Sequence, residues 1–158
     1  MSSTYVRYVT ELEATPEEIW PCLVEPELQK RWMVGLEESS PIRGTGTRPG
    51  DQFRMQIREG GKLRSYVAEL LAYERPYRLS VRMWPEDDPE NFNVTVTYEL
   101  SHVPGGSTLS YTCDLELERP GCLMRLMAPI GHVMSRLLIR RFMRNLNRLI
   151  QERRQTAA

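Results

Sequence analysis

The sequence lacks an excess of either charge, since its 158 residues include 21 basic and 21 acidic side chains. A balanced chain has no general electrostatic attraction to nucleic acid or to an anionic membrane surface. No run approaches the roughly 20 apolar residues that cross a bilayer. The stretch MSSTYVRYVTELEATPEE has no apolar core of the signal-peptide kind. These absences predict a cytoplasmic protein with no nucleic-acid partner and no integral membrane association.

Potential metal ligands are also scarce. The three cysteines, Cys22, Cys113 and Cys122, and the two histidines, His102 and His132, fit no metal-ligand spacing. We therefore predict no metal, no cofactor and three reduced thiols. His102 is the one imidazole whose strand position suits a catalytic base, although it lies near a turn, and His132 is expected to face solvent.

The stretch LEATPEEIWPCLVEPELQKRW predicts two short helices directly after a strand at about 4–13. Thr15 is a good N-cap, Pro16 suits the first helical position, and Glu18 completes a capping box. A second proline begins the other helix, at 26–32. Helices this short depend on tertiary packing, so we expect them to close one end of a larger structure.

Residues 36 to 118 have the pattern of an antiparallel meander, in which short strands with one apolar face alternate with turns. The EGGK and VPGGS stretches predict hairpin turns, and the ambiguous faces of LRSYVAELLAYE predict a β-bulge. The apolar faces include Phe53, Met55, Ile57, Leu79, Val81, Met83, Val94, Val96, Tyr98, Leu109, Tyr111 and Cys113.

Beyond residue 121 the hydrophobic period changes to that of a helix. Pro129 could begin the main helix or kink a longer one, and the helix is expected to extend to about Arg153. The predicted apolar arc consists of Met127, Met134, Leu138, Phe142 and Leu149. Arginines at 136, 140, 144 and 148 form a stripe, which would be either a solvated face or a patch for an acidic partner.

These elements predict a single α+β domain over residues 1–158. A curved antiparallel sheet of six to seven strands would wrap around the long C-terminal helix, which is the one element able to cover its apolar face. A curved sheet over one helix leaves space between them, and the two short helices would form the end wall of that space.

The chain resembles the START-like, or SRPBCC, superfamily with the helix-grip fold, near its polyketide cyclase/dehydrase branch. The matching stretches are LEATPEEIWPCLVEPELQKRW and LMRLMAPIGHVMSRLLIRRFMRNLNRLIQE. The resemblance implies an internal pocket for a hydrophobic or aromatic, polyketide-like or lipid-like small molecule. Two alternatives stay open, a polyketide cyclase, aromatase or dehydratase and a co-chaperone-like interaction module. No catalytic residue follows from the resemblance, and the oligomeric state stays open, with a homodimer as one alternative.

The candidate ligand-binding residues are those expected on the inward faces: Trp32, Phe53, Met55, Met83, Tyr98, Tyr111, Cys113, Met134, Leu138, Arg141 and Asn145. Each could instead be an ordinary core residue. Arg141 lies about 60° and Asn145 about 20° from the centre of the predicted arc. Either side chain could form a hydrogen bond with a ligand oxygen. Alternatively, Arg141 would extend to the surface and Asn145 would cap a strand edge. Trp32 is expected at the pocket mouth.

Overall fold

The computed structural model describes the backbone of residues 2–90, 92–118 and 122–157, and their side chains apart from 2 and 122–135. The elements are β1 (Ser2–Leu12), α1 (Pro16–Val24), α2 (Pro26–Trp32), β2 (Leu36–Arg43), β3 (Gln52–Glu59), β4 (Lys62–Glu74), β5 (Arg78–Pro85), β6 (Phe92–Val103), β7 (Gly106–Leu117) and α3 (Cys122–Ala157). This order confirms the predicted α+β helix-grip architecture.

The seven strands form one antiparallel sheet in the order β1-β7-β6-β5-β4-β3-β2. The β3–β4 hairpin turns through Gly60 and Gly61, whose φ angles of 55° and 82° suit the two-residue turn predicted there. The predicted bulge in β4 is confirmed by a register shift between Leu70 and Ala72. Bulges bend a strand and increase its twist, and the sheet curves around α3.

The two short helices form as the sequence predicted. Thr15 Oγ1 accepts a hydrogen bond from the Glu18 amide at 3.2 Å, and the Glu18 carboxylate accepts one from the Thr15 amide at 3.0 Å. This capping box satisfies amides that the first helical turn leaves without partners. Buried Ile19, Trp20 and Leu23 then hold α1 against the rest of the protein.

Helix α3 continues through Pro129, so the longer of the two predicted helices is the correct one. The orientation of its buried face differs from the prediction. In the part of α3 whose side chains are described, the buried residues are Ile139, Met143, Leu146, Leu149 and Ile150. Their stripe is centred about 90° from the predicted arc.

The difference arises because the sheet is not the main packing partner of this half of α3. Its buried stripe packs against α1, α2 and β1. Of the predicted arc, Leu149 is buried, Phe142 is half-buried and Leu138 is exposed, while Met127 and Met134 lie outside the described side chains. The arginines at 136, 140, 144 and 148 are all exposed, as expected for a solvated face.

The main core lies where α1, α2 and the last turns of α3 meet β1, β6 and β7. Its most deeply buried large side chains are Ile19, Trp20, Leu23, Trp32, Leu109, Leu146 and Ile150. A second, smaller cluster on β2, β3 and β4 consists of Leu36, Met55 and Ala68. Among the described residues, no helix combines the length and apolar character needed to cross a membrane.

Candidate ligand-binding cavity

A cavity of about 430 Å³ separates the inner face of the sheet from α2 and α3. The sheet supplies most of its wall, because alternate residues of each strand point to the same side. The sheet residues lining it are Leu36, Ser39, Phe53, Met55, Ile57, Arg58, Glu59, Ala68, Leu79, Val81, Met83, Val94, Val96, Tyr98, Tyr111 and Cys113. Its wall is therefore predominantly apolar.

The two short helices form one end of the cavity, which is the role expected for them from the sequence. Leu23 and Val24 at the end of α1, Pro26 and Gln29 of α2, and Met33 just after α2 all line it. Helix α3 adds Leu138 and Phe142, which lie to one side of its buried stripe.

Aromatic rings form a connected cluster beside the cavity. The Trp32 ring packs edge-to-face against Tyr98 and against Phe142, with ring centroids 6.3 Å apart in both pairs. Tyr98 also packs against Tyr111, with centroids 5.3 Å apart. The Trp32 indole N–H donates to the Cys22 carbonyl at 2.7 Å, which fixes the ring that supports the others.

The ionisable groups of the deep wall are held in their neutral forms. Burial raises the pKa of both Tyr98 and Tyr111 well above that of an ordinary phenol. Burial also raises the pKa of the Cys113 thiol to about 11. A thiol with that pKa is a weak nucleophile near neutral pH, so the cavity presents Cys113 as a small, mostly apolar group.

Charged residues line the cavity where β3 ends. The Arg58 guanidinium is within 2.5 Å of the Glu37 carboxylate, and this hydrogen bond lowers the pKa of Glu37. Glu59 accepts hydrogen bonds from the Tyr66 hydroxyl at 2.8 and 2.9 Å. Burial and this contact raise the pKa of Tyr66 to about 12. Both charged residues thus already have partners outside the cavity.

The structure brings seven of the predicted binding residues together on the cavity wall: Phe53, Met55, Met83, Tyr98, Tyr111, Cys113 and Leu138. Their contact with a ligand stays a prediction. Met134 lies outside the described side chains.

Three of the predicted binding residues are not among those that line the cavity. Trp32 does not line the mouth, because the residue is only 1% exposed and its ring packs within the aromatic cluster. Asn145 neither lines the cavity nor caps a strand edge, since its amide donates to the Trp32 carbonyl at 3.3 Å, at the end of α2. Arg141 is exposed and away from the cavity, which is the surface alternative left open above, because the buried stripe of α3 is rotated from the predicted arc.

His102 is not a base within the cavity. Its imidazole is exposed, with Nε2 3.7 Å from the Glu17 carboxylate, and it packs on the ring of Tyr77. It follows the inward parity of Tyr98 and Leu100, but β6 has passed the cavity by that point. Strand parity gives the face of a residue and not its position along the sheet.

The sequence did not identify the lining residues contributed by α1, α2 and the segment after α2. Pro26, Met33 and Val34 line the cavity, but two helices of 9 and 7 residues are too short for an apolar stripe to show which side faces inward. The expectation that these helices close the space was the one available clue.

A curved antiparallel sheet that grips a long helix beside an apolar cavity defines the helix-grip class of domain. The chain belongs to the family described as "polyketide cyclase / dehydrase and lipid transport", whose sequence model matches residues 3–151. The comparison with curated proteins found no match.

Solved structures share the fold at low sequence identity. A protein of unknown function from Staphylococcus aureus has a TM-score of 0.78 at 15% identity, covering 98% of this chain and 97% of its own. Ara h 8.0201 has a TM-score of 0.73 at 14% identity, with coverages of 96% and 99%. A conserved protein from Geobacillus kaustophilus has a TM-score of 0.73 at 20% identity, with coverages of 94% and 96%.

Proposed function

We propose that this protein binds a hydrophobic small molecule, of polyketide-like or lipid-like character, in the cavity between the sheet and α3. The cavity itself carries the proposal, since its volume of about 430 Å³ falls within the roughly 300–1,000 Å³ of small-molecule sites. An apolar wall with a few polar groups is also typical of such sites. Burial of an apolar ligand there would remove both apolar surfaces from water.

The family description names both catalysis on polyketides and lipid transport, and the cavity chemistry favours binding over catalysis. A general base needs a group that accepts a proton near neutral pH, within reach of the substrate. Among the described lining residues, the only carboxylate is Glu59, and Tyr66 already donates to it. The cyclase, aromatase or dehydratase alternative would then depend on a lining tyrosine or arginine to polarise a substrate carbonyl, and we rank it second.

An open cavity also argues against the co-chaperone-like alternative, because a domain used only for protein contacts needs no internal space. We further expect a single cytoplasmic domain over residues 1–158, which requires no metal or cofactor.

Native mass spectrometry of the freshly purified protein, compared with its denatured mass, tests the binding proposal. We expect a reproducible additional mass that is lost on denaturation, whose value begins to identify the ligand. If the protein is bare, the same measurement is repeated after incubation with 8-anilino-1-naphthalenesulfonate (ANS), a fluorescent hydrophobic probe. Absence of any retained mass and of any ANS fluorescence increase would contradict the proposal.

A further inference from the structure

Two tyrosines stand directly opposite each other at the centre of the inner sheet face. Tyr98 of β6 is the register partner of Tyr111 of β7. Only 7% of Tyr98 and 5% of Tyr111 is exposed, and both line the cavity. Their positions therefore bring two phenol groups to one place on an otherwise apolar wall.

Neither hydroxyl has a hydrogen-bond partner among the described residues, although buried hydroxyls are nearly always paired. Every fully enclosed side-chain nitrogen or oxygen atom of the described residues does have a partner. This absence of enclosed, unpaired atoms is consistent with hydroxyls that open onto the cavity, which both tyrosines line. Two donors are then available to a ligand that occupies this space.

The rings are held by packing, so their hydroxyl positions are set before any ligand arrives. Tyr98 is packed between Trp32 and Tyr111 through edge-to-face contacts. The Trp32 ring is in turn fixed by its hydrogen bond to the Cys22 carbonyl. A donor that is already oriented loses little freedom on binding, which favours recognition.

The charges around the cavity indicate whether a charged or a neutral acceptor group of a ligand would suit these two donors. Because burial raises the pKa of both phenols, each stays protonated and can donate a hydrogen bond. Arg58 is the only cation among the described lining residues, and Glu37 already neutralises it. Burying a carboxylate or phosphate next to the tyrosines would leave its charge unpaired, which is costly. A neutral acceptor has no such cost.

We propose that Tyr98 and Tyr111 together form a hydrogen-bonding clamp for a neutral carbonyl oxygen on an otherwise apolar, aromatic ligand. This inference rests on the proposed binding function and specifies its ligand class. The neighbouring rings of Trp32 and Phe142 form aromatic surroundings of the kind that ring-containing ligands pack against.

Two probes of nearly equal shape test the clamp. 2-Acetylnaphthalene carries a ketone, and 2-isopropenylnaphthalene replaces its oxygen with a CH₂ group. Their dissociation constants would be measured by ANS displacement for the wild type, Tyr98→Phe, Tyr111→Phe and the double variant. Tyr5→Phe is the matched control, because it removes a hydroxyl from a side chain that is 59% exposed on the outside of β1.

We expect each single variant to bind the ketone about three- to tenfold more weakly than the wild type, as the loss of one neutral hydrogen bond predicts, and the double variant to bind it more weakly still. Its affinity for the isopropenyl probe should be unchanged or slightly higher, and Tyr5→Phe should alter neither. Equal effects on the two probes, or no effect on either, would overturn the clamp while leaving hydrophobic binding intact. If the wild type binds neither probe and does not bind ANS, that result would instead contradict the proposed function.

Infrared spectroscopy gives a measurement that does not depend on the variants folding. The C=O stretch of 2-acetylnaphthalene bound to wild-type protein should lie below its frequency in hexane, because a donated hydrogen bond weakens the carbonyl bond. A bound ketone with the hexane frequency would overturn the clamp. In the folded Phe variants, the frequency should return towards the hexane value.

Discussion

Met143 and Met83 both point into the protein, but they face different environments. Met143 on α3 is 4% exposed and belongs to the main core. Met83 on β5 is half-buried and lines the cavity. Around Met143 the described side chains of α1, α2 and α3 pack closely together, whereas Met83 lies on the part of β5 that borders the cavity.

The difference shows that two separate factors decide what an inward residue does. Alternation along a strand determines which face a side chain occupies. The placement of the helices determines whether that face is packed or left beside open space. The same apolar alternation therefore produces both core residues and cavity-wall residues, and one strand can carry both: on β6, Leu100 is in the core and Val94 lines the cavity.

The largest effect is expected where packing is complete. Met143→Ala should reduce the free energy of unfolding by about 2–5 kcal/mol, because it removes buried atoms and leaves a cavity within the core. Urea unfolding followed by circular dichroism would measure the loss. A loss below about 1 kcal/mol would mean that the core around α3 is not closely packed.

Met83→Ala makes the same chemical change at the cavity wall and should cost less than about 1.5 kcal/mol. The side chain already faces open space there, so its removal sacrifices fewer contacts. The same urea experiment applies, with Met143→Ala as the matched reference. Equal losses for the two variants would remove the distinction between core and cavity wall.

The reactivity of Cys113 tests the same distinction without changing stability. Because its pKa is raised to about 11, the thiolate population should increase about tenfold per pH unit from about pH 7 to about pH 10, with no plateau. Alkylation by iodoacetamide, followed at the Cys113 peptide by mass spectrometry, would report this rate. Free glutathione in the same mixture is the control, and a plateau for Cys113 near that of glutathione would contradict the buried position.

The smallest effect is expected at Arg141. The structure places this side chain in solvent, so Arg141→Met should change the unfolding free energy by less than about 0.5 kcal/mol. It should also leave the ANS dissociation constant unchanged. A clear weakening of ANS binding would show that Arg141 reaches the ligand after all.

The strand pattern of the sequence predicted the sheet and much of the cavity wall, because a period of two identifies a face directly. Phe53, Met55, Met83, Tyr98 and Tyr111 were placed correctly for this reason. The Thr15 capping box likewise follows from local contacts alone.

The helical residues were harder to place because their orientation depends on tertiary partners. The hydrophobic pattern of α3 suggested an arc facing the middle of the sheet, but the buried side chains of its described half pack against α1, α2 and the edge strand β1. Arg141 and Asn145 were misplaced through this one rotation. The hydrogen bond from Asn145 to Trp32 joins residues 113 positions apart, and nothing in the local sequence indicates it.

The most direct test of the central claim is to fill the cavity without disturbing the core. Val94 lines the cavity and faces inward from β6, so Val94→Phe should occupy that space while keeping the strand. Val9→Phe adds the same ring at a position on β1 that is 51% exposed. ANS titration would compare both variants with the wild type, and near-ultraviolet circular dichroism would confirm that each is folded.

We expect Val94→Phe to weaken ANS binding at least about tenfold and Val9→Phe to have no effect, since only the first removes the volume in which a ligand is buried. Undiminished ANS binding by folded Val94→Phe would contradict the claim that this cavity is the binding site.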